Sequence, residues 1–150
     1  MDKTPCLVSV ESAFAEGEKR YEGTFESTEE RIRVIWNQPE EEKGEGDSRF
    51  LLSYKVKEAV LTMTRRGAAE SDMVFQAGEK TEGLMRTSHG DFDLSMETSE
   101  ISFFPEEADR KVILEGRTYL VKTARLAYDL CFPGQEPMAN QMIFRVYLTE

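Results

Sequence analysis

The chain has 150 residues, a formal net charge of −10 and 10% aromatic side chains. That length suits one domain, able to bury a core without metal or disulfide. The charge argues against nucleic-acid binding, which needs a basic face to neutralise phosphates, and against an anionic membrane surface; the basic residues come only in short pairs such as Arg65-Arg66.

Val8, Val10, Ser12 and Phe14 alternate with polar or small residues and predict a first strand, with a turn at Glu16-Gly17-Glu18. Lys19 to Ser27 alternates again, with Tyr21, Gly23 and Phe25 on one side. Gly23 inside that pattern signals a bulge or a close backbone approach. Arg31 to Asn37 follows, with Ile32, Val34 and Trp36 on one face. Gln38 to Asp47 then breaks the pattern with a proline, two glycines and five acids. This is the composition of a solvated hairpin loop, and its spacing fits no calcium loop.

Arg49 to Lys55 places Phe50, Leu52 and Tyr54 on one face. Lys57-Glu58 turns the chain, and Ala59 to Arg66 aligns Leu61, Met63 and Arg65. Ser71 to Ala77 points Met73 and Phe75 inward. Glu82 to Thr87 and Asp91 to Phe104 follow, with Phe92, Leu94, Met96 and Thr98 sharing one side of the latter. Glu106 to Lys111 is a charged loop in which EEADR allows one helical turn. Val112 to Glu115 and Thr118 to Phe132 are strands broken at Gly116. Leu120, Leu126, Tyr128, Leu130 and Phe132 share one parity of the second. After the Pro133-Gly134 turn, Asn140, Met142, Phe144, Val146 and Leu148 form the inward side of a last strand.

Nine or ten strands at roughly ten-residue spacing, with short connections, predict an all-β fold. Short connections favour an antiparallel meander, because parallel pairs need long crossovers. A single antiparallel up-and-down barrel over residues 1–150 removes exposed sheet edges.

Several residues together carry a family resemblance: Arg65-x-Gly67, Met73-Val74-Phe75 with Gly78, Thr87-x-x-Gly90-x-Phe92, Thr98, Tyr128-x-Leu130 and Asn140. In order and spacing the series resembles the YwiB-like proteins, small bacterial proteins of unknown function. The likeness runs from about Phe50 to the C-terminus and is fainter before it. It implies a calycin-type, lipocalin-like β-barrel and supplies no reaction. The chain departs from the pattern at Met85, where an aromatic is usual, at Ser88-His89, where a proline and an aromatic are common, and in its longer acidic loop.

Candidate sites follow from parity. Trp36, Met63, Met73, Phe75, Met85, Phe92, Met96, Tyr128 and Phe144 fall on inward positions and either line a cavity for a small apolar ligand or fill it. Arg65 shares that parity. A guanidinium keeps its charge when buried, so Arg65 either anchors an anionic ligand at the barrel mouth or closes one barrel end, paired with an acid or stacked on Trp36. His89, the one histidine, sits in a turn with Asp91 and Asp93 on the solvent side, so no Ser-His-Asp triad assembles. Cys6 and Cys131 are far apart without a C-x-x-C and read as small hydrophobes. No metal or other cofactor is implied.

The N-terminus lacks the apolar run of a signal peptide, and no stretch matches a membrane span, so a cytoplasmic protein with reduced thiols is expected. The leading expectation is a non-catalytic barrel that binds a small apolar or amphipathic ligand inside it, or an anionic one through Arg65. The alternative is a protein-interaction or structural module with a filled interior. Its outer surface, including Ile143 and Tyr147, would then do the work, and a homodimer is compatible with it.

Overall fold

The computed structural model describes residues 3–12, 19–39, 47–67 and 69–149. Eleven strands lie among them: β1 (Thr4–Ser12), β2 (Tyr21–Ser27), β3 (Arg31–Pro39), β4 (Asp47–Lys55), β5 (Val60–Arg66), β6 (Glu70–Gln76), β7 (Lys80–Thr87), β8 (Gly90–Phe103), β9 (Arg110–Leu114), β10 (Arg117–Cys131) and β11 (Met138–Thr149). Among the described residues one 3-10 turn, Glu106–Ala108, precedes β9. The strands form one antiparallel sheet. β1 to β8 pair in sequence, β8 pairs with β10, β10 with β11, and β11 returns to β1. This is the closed up-and-down barrel that the short connections predict, with ten strands in the wall. β9 stands beside it as a hairpin arm on β10.

The turns are those that the sequence chemistry demands. Glu115 and Gly116 both have positive φ (51° and 79°), the backbone of a two-residue hairpin turn whose twist matches its strands. Thr87 and Gly90 close the β7–β8 hairpin. The Thr87 hydroxyl donates to the Gly90 carbonyl (3.1 Å) and accepts from the His89 N–H (3.1 Å). The proposed turn at Glu16-Gly17-Glu18 and most of the acidic loop lie outside the described residues. Gln38, Pro39 and Asp47 belong to strands, since Gln38 faces Ser48 and Pro39 faces Asp47. The expected loop is shorter at both ends for that reason.

Alternation sorts most side chains as predicted. Val8, Val34, Trp36, Leu52, Leu61, Phe75, Met96, Leu126, Phe144 and Val146 are all fully or almost fully buried in one core. Barrel strands tilt, so a row of cross-strand partners climbs from one end to the other. One such row is Cys6, Gly23, Trp36, Phe50, Arg65, Ser71, Met85 and Phe92. Gly23 in this row is a close approach and not a bulge. A Cβ there would lie 2.4 Å from the Ile35 carbonyl oxygen and 3.0 Å from the Trp36 Cβ.

Two positions depart from simple alternation. Ser99 is an extra residue opposite β10, because Thr98 faces Tyr128 while Glu100 faces Ala127. Beyond this bulge the inward parity of β8 switches from Leu94, Met96 and Thr98 to Ile101 and Phe103. Val121 faces outward yet is buried, beside Pro105 and Ala108 from the 3-10 segment.

Candidate functional site

The barrel interior is where the predicted site residues converge, and there they mainly fill space. Rings from distant strands meet across it. Phe75 on β6 and Tyr128 on β10 approach to 4.8 Å between centroids, and Trp36 on β3 and Phe144 on β11 to 6.3 Å. Tyr54 on β4 and Phe103 on β8, four strands apart in the wall, meet at 4.8 Å. Phe104 takes a left-handed backbone (φ 53°) and turns into the core, where its ring packs edge-on against Phe25 at 5.6 Å. Met63, Met73 and Met96 are buried in the same cluster. Of the two options left open by parity, these contacts favour a lumen filled by its lining.

Arg65 lies at the other end, the mouth formed by the C-terminal ends of β1, β3, β5 and β7. Its guanidinium carbon sits 5.3 Å from the Phe50 ring centroid, and Phe50 in turn stacks on Trp36 at 5.2 Å with planes 6° apart. The stacked partner of Arg65 is thus Phe50, its neighbour in register, and Trp36 is one ring further in. Arg65 Nε donates to Ser48 Oγ at 3.2 Å. Ser48 is itself buried, and Gly67 packs on it: a Cβ at Gly67 would lie 2.8 Å from Ser48 Oγ. The Arg-x-Gly spacing is explained by this shared partner, with the side chain of Arg65 and the bare backbone of Gly67 both meeting Ser48. Parity places Ser48 with Phe50, but Ser48 falls between the expected loop, Gln38 to Asp47, and the expected strand, Arg49 to Lys55, whereas β4 begins at Asp47.

At the rim, Met85 is half-buried and Phe92 is 44% exposed. Phe92 therefore corrects the inward assignment. It has the right parity, but it sits at the tip of the β7–β8 hairpin, where the opposite wall no longer covers it. Trp36 is 2% exposed and its indole N–H has no hydrogen-bond partner; the buried Thr98 hydroxyl also has none. Deeper in, Asn140 Nδ2 donates to the Tyr128 hydroxyl at 2.8 Å. Burial pushes the Tyr128 phenol above its ordinary pKa, and the Asn140 bond opposes that shift.

The remaining titratable candidates stay apart. His89 is exposed in its turn, with Asp91 and Asp93 also exposed. Cys6 and Cys131 are free; burial pushes the Cys6 thiol up to about 12. An ion pair, Lys122 Nζ to Asp109 Oδ2 at 2.8 Å, joins β10 to the 3-10 segment, with Lys122 on the same parity as Leu120 and Leu126. Thr98 and Gly78 are also tied through the backbone: Gly78 N–H donates to the Thr98 carbonyl (2.8 Å), and Thr98 N–H donates to the Glu79 carbonyl (3.2 Å). The residues that carry the family resemblance thus have structural tasks in turns, packing and strand ties.

The class defined by this geometry is the closed antiparallel barrel protein whose lumen is packed and whose charged and apolar groups meet at one mouth. A family profile described as a domain of unknown function, DUF1934, matches residues 10–142, and the chain belongs to that family. The fold is similar to the crystal structure of ywiB protein from Bacillus subtilis, with a TM-score of 0.69 and 16% identity, covering 99% of this chain and 94% of that one. No curated protein matches the chain. Among the described residues, no helix is long and apolar enough to cross a membrane.

Proposed function

We propose that this chain is a non-catalytic, cytoplasmic binding module that holds a small amphipathic anion at the Arg65 mouth. The ligand's charged head meets Arg65, and its apolar part lies against Met85, Phe92 and the rim. The observation that carries this reading is the Arg65 guanidinium held over the Phe50 ring at the barrel mouth, with Phe50 in turn stacked on Trp36. The exposed Phe92 ring beside Met85 supports an apolar contact at the same rim. Because rings span the lumen, the ligand sits at the mouth in this reading and not in the centre.

The chain has one tryptophan, so its fluorescence reports on this stack directly. Titration with decanoate should give a saturable change, weakened about tenfold in Arg65→Met, with decanol binding less well than decanoate. No change with either compound, together with native mass spectra free of any co-purifying molecule, would overturn the reading. A second reading, a protein-interaction module built on a solid barrel, is favoured by the same ring contacts across the lumen.

A further inference from the structure

The outer wall carries a feature that the mouth does not explain. A groove of about 330 Å³ runs between the 3-10 segment, β9, β10 and β11. Its lining includes Arg110, Arg125 and Arg145 and no acidic residue. In a chain with 29 acids and 19 Lys and Arg, a concave surface with that balance is a local reversal of sign.

The register explains how three separate strands build it. Val121, Thr123 and Arg125 alternate along the outward face of β10. Arg110 on β9 lies opposite Val121, and Arg145 on β11 lies opposite Thr123. Neighbouring same-face residues on a strand are about 7 Å apart, so the three guanidinium groups can converge on one small molecule. Arg145 is oriented by Glu11, whose Oε2 accepts from Arg145 Nη1 at 2.9 Å. Arg110 and Arg125 are exposed and form no ion pair among the described residues. At one end Tyr147 is buried, with the Tyr119 ring edge-on at 6.2 Å and the Arg20 guanidinium 5.2 Å from its centroid. With Val121 it makes a fixed apolar floor next to the charges.

We propose that this groove is a binding site for a small polyanion, a phosphate- or polycarboxylate-bearing molecule whose apolar part rests on Val121 and Tyr147. Guanidinium groups match both oxyanions through paired N–H donors. The volume suits a small ligand, since such pockets begin at about 300 Å³. It does not suit a nucleic acid, which would need a basic track far longer than three residues. The groove is separate from the Arg65 mouth, so neither site depends on the other.

Calorimetric titration with pyrophosphate and with citrate, at constant ionic strength, tests it. The expected result is saturable binding below about 10 mM for at least one of the two, weakening as sodium chloride rises. Which one binds separates the phosphate source from the carboxylate source. The double substitution Arg110→Ala/Arg125→Ala should weaken binding about tenfold or more, while Arg65→Met leaves it unchanged. Both arginines of the double variant are exposed, so a circular dichroism spectrum should show the fold intact. Absence of saturable binding by both anions, or equal binding by the double variant, would overturn the proposal.

Discussion

Tyr54 and Phe103 face each other across the barrel, 4.8 Å between ring centroids, although their strands are four apart in the wall. Opposite walls that touch through their side chains make the lumen a core in the thermodynamic sense. Phe75, fully buried against Tyr128, should then behave as a core ring. Phe75→Ala is expected to lower unfolding stability by about 3–5 kcal/mol, measured by urea denaturation. A loss below about 1 kcal/mol would mean that the centre has room to spare.

Gly23 supports the same packing from the wall. Its missing side chain lets the Ile35 carbonyl, the Trp36 Cβ and the Val8 side chain close in, and a Cβ would meet the Ile35 carbonyl first. Backbone cannot rotate away as a flexible side chain can. Gly23→Ala should cost about 1–3 kcal/mol and blue- or red-shift the Trp36 emission, because the indole is its neighbour.

How much of this was legible beforehand depends on what each residue needs. Alternation identified Val34, Trp36, Leu52 and Phe75 as interior, because burial of one sheet face is written in every second residue. It missed the switch at Ser99, since a bulge inserts one residue without a required residue type. It ranked Phe92 with Leu94, because parity states which way a side chain points and not how far the wall extends above it. Arg65 was legible as a charge on an apolar parity. Ser48, its partner, falls between the expected loop and the expected strand, and a serine carries no signal of its own there. The arginine groove was illegible because Arg110, Arg125 and Arg145 are each an ordinary outward residue until three strands bring them together.

The Cys6 thiol links stability to pH. Its pKa is about 12 in the folded chain against 9.0 for a free thiol. Below pH 9 both states hold the proton and the site contributes no slope. Between pH 9 and 12 the unfolded chain releases it and the folded chain does not, so stability falls by up to about 1.4 kcal/mol per pH unit. Whatever stability gap separates the wild type from Cys6→Ala at pH 8 should therefore narrow steadily between pH 9 and 11. Denaturation at the three pH values checks this, and a constant gap would contradict it. Tyr128, also raised by burial, adds a fall of the same sign that both proteins share.

Lys122 and Asp109 hold the 3-10 segment to β10 at 2.8 Å, each with less than a fifth of its side chain exposed. Removing one partner strands the other charge in a poorly solvated place. Lys122→Met should cost about 3 kcal/mol, and the double variant Lys122→Met/Asp109→Leu should recover much of it. Thermal unfolding of the four proteins of this cycle measures the coupling. If the single and double variants melt alike, the pair is not coupled.

Closing the wall on itself leaves one strand whose outer side is unsatisfied. β9 pairs with β10 alone, and Ile113 on it is 73% exposed. Its five residues begin with Arg110 and Lys111, and shortness and positive charge are what deter a stray chain from adding there. Swapping those two for valine would turn a guarded seam into a template, and light scattering by that variant should rise above that of the unaltered protein at equal concentration.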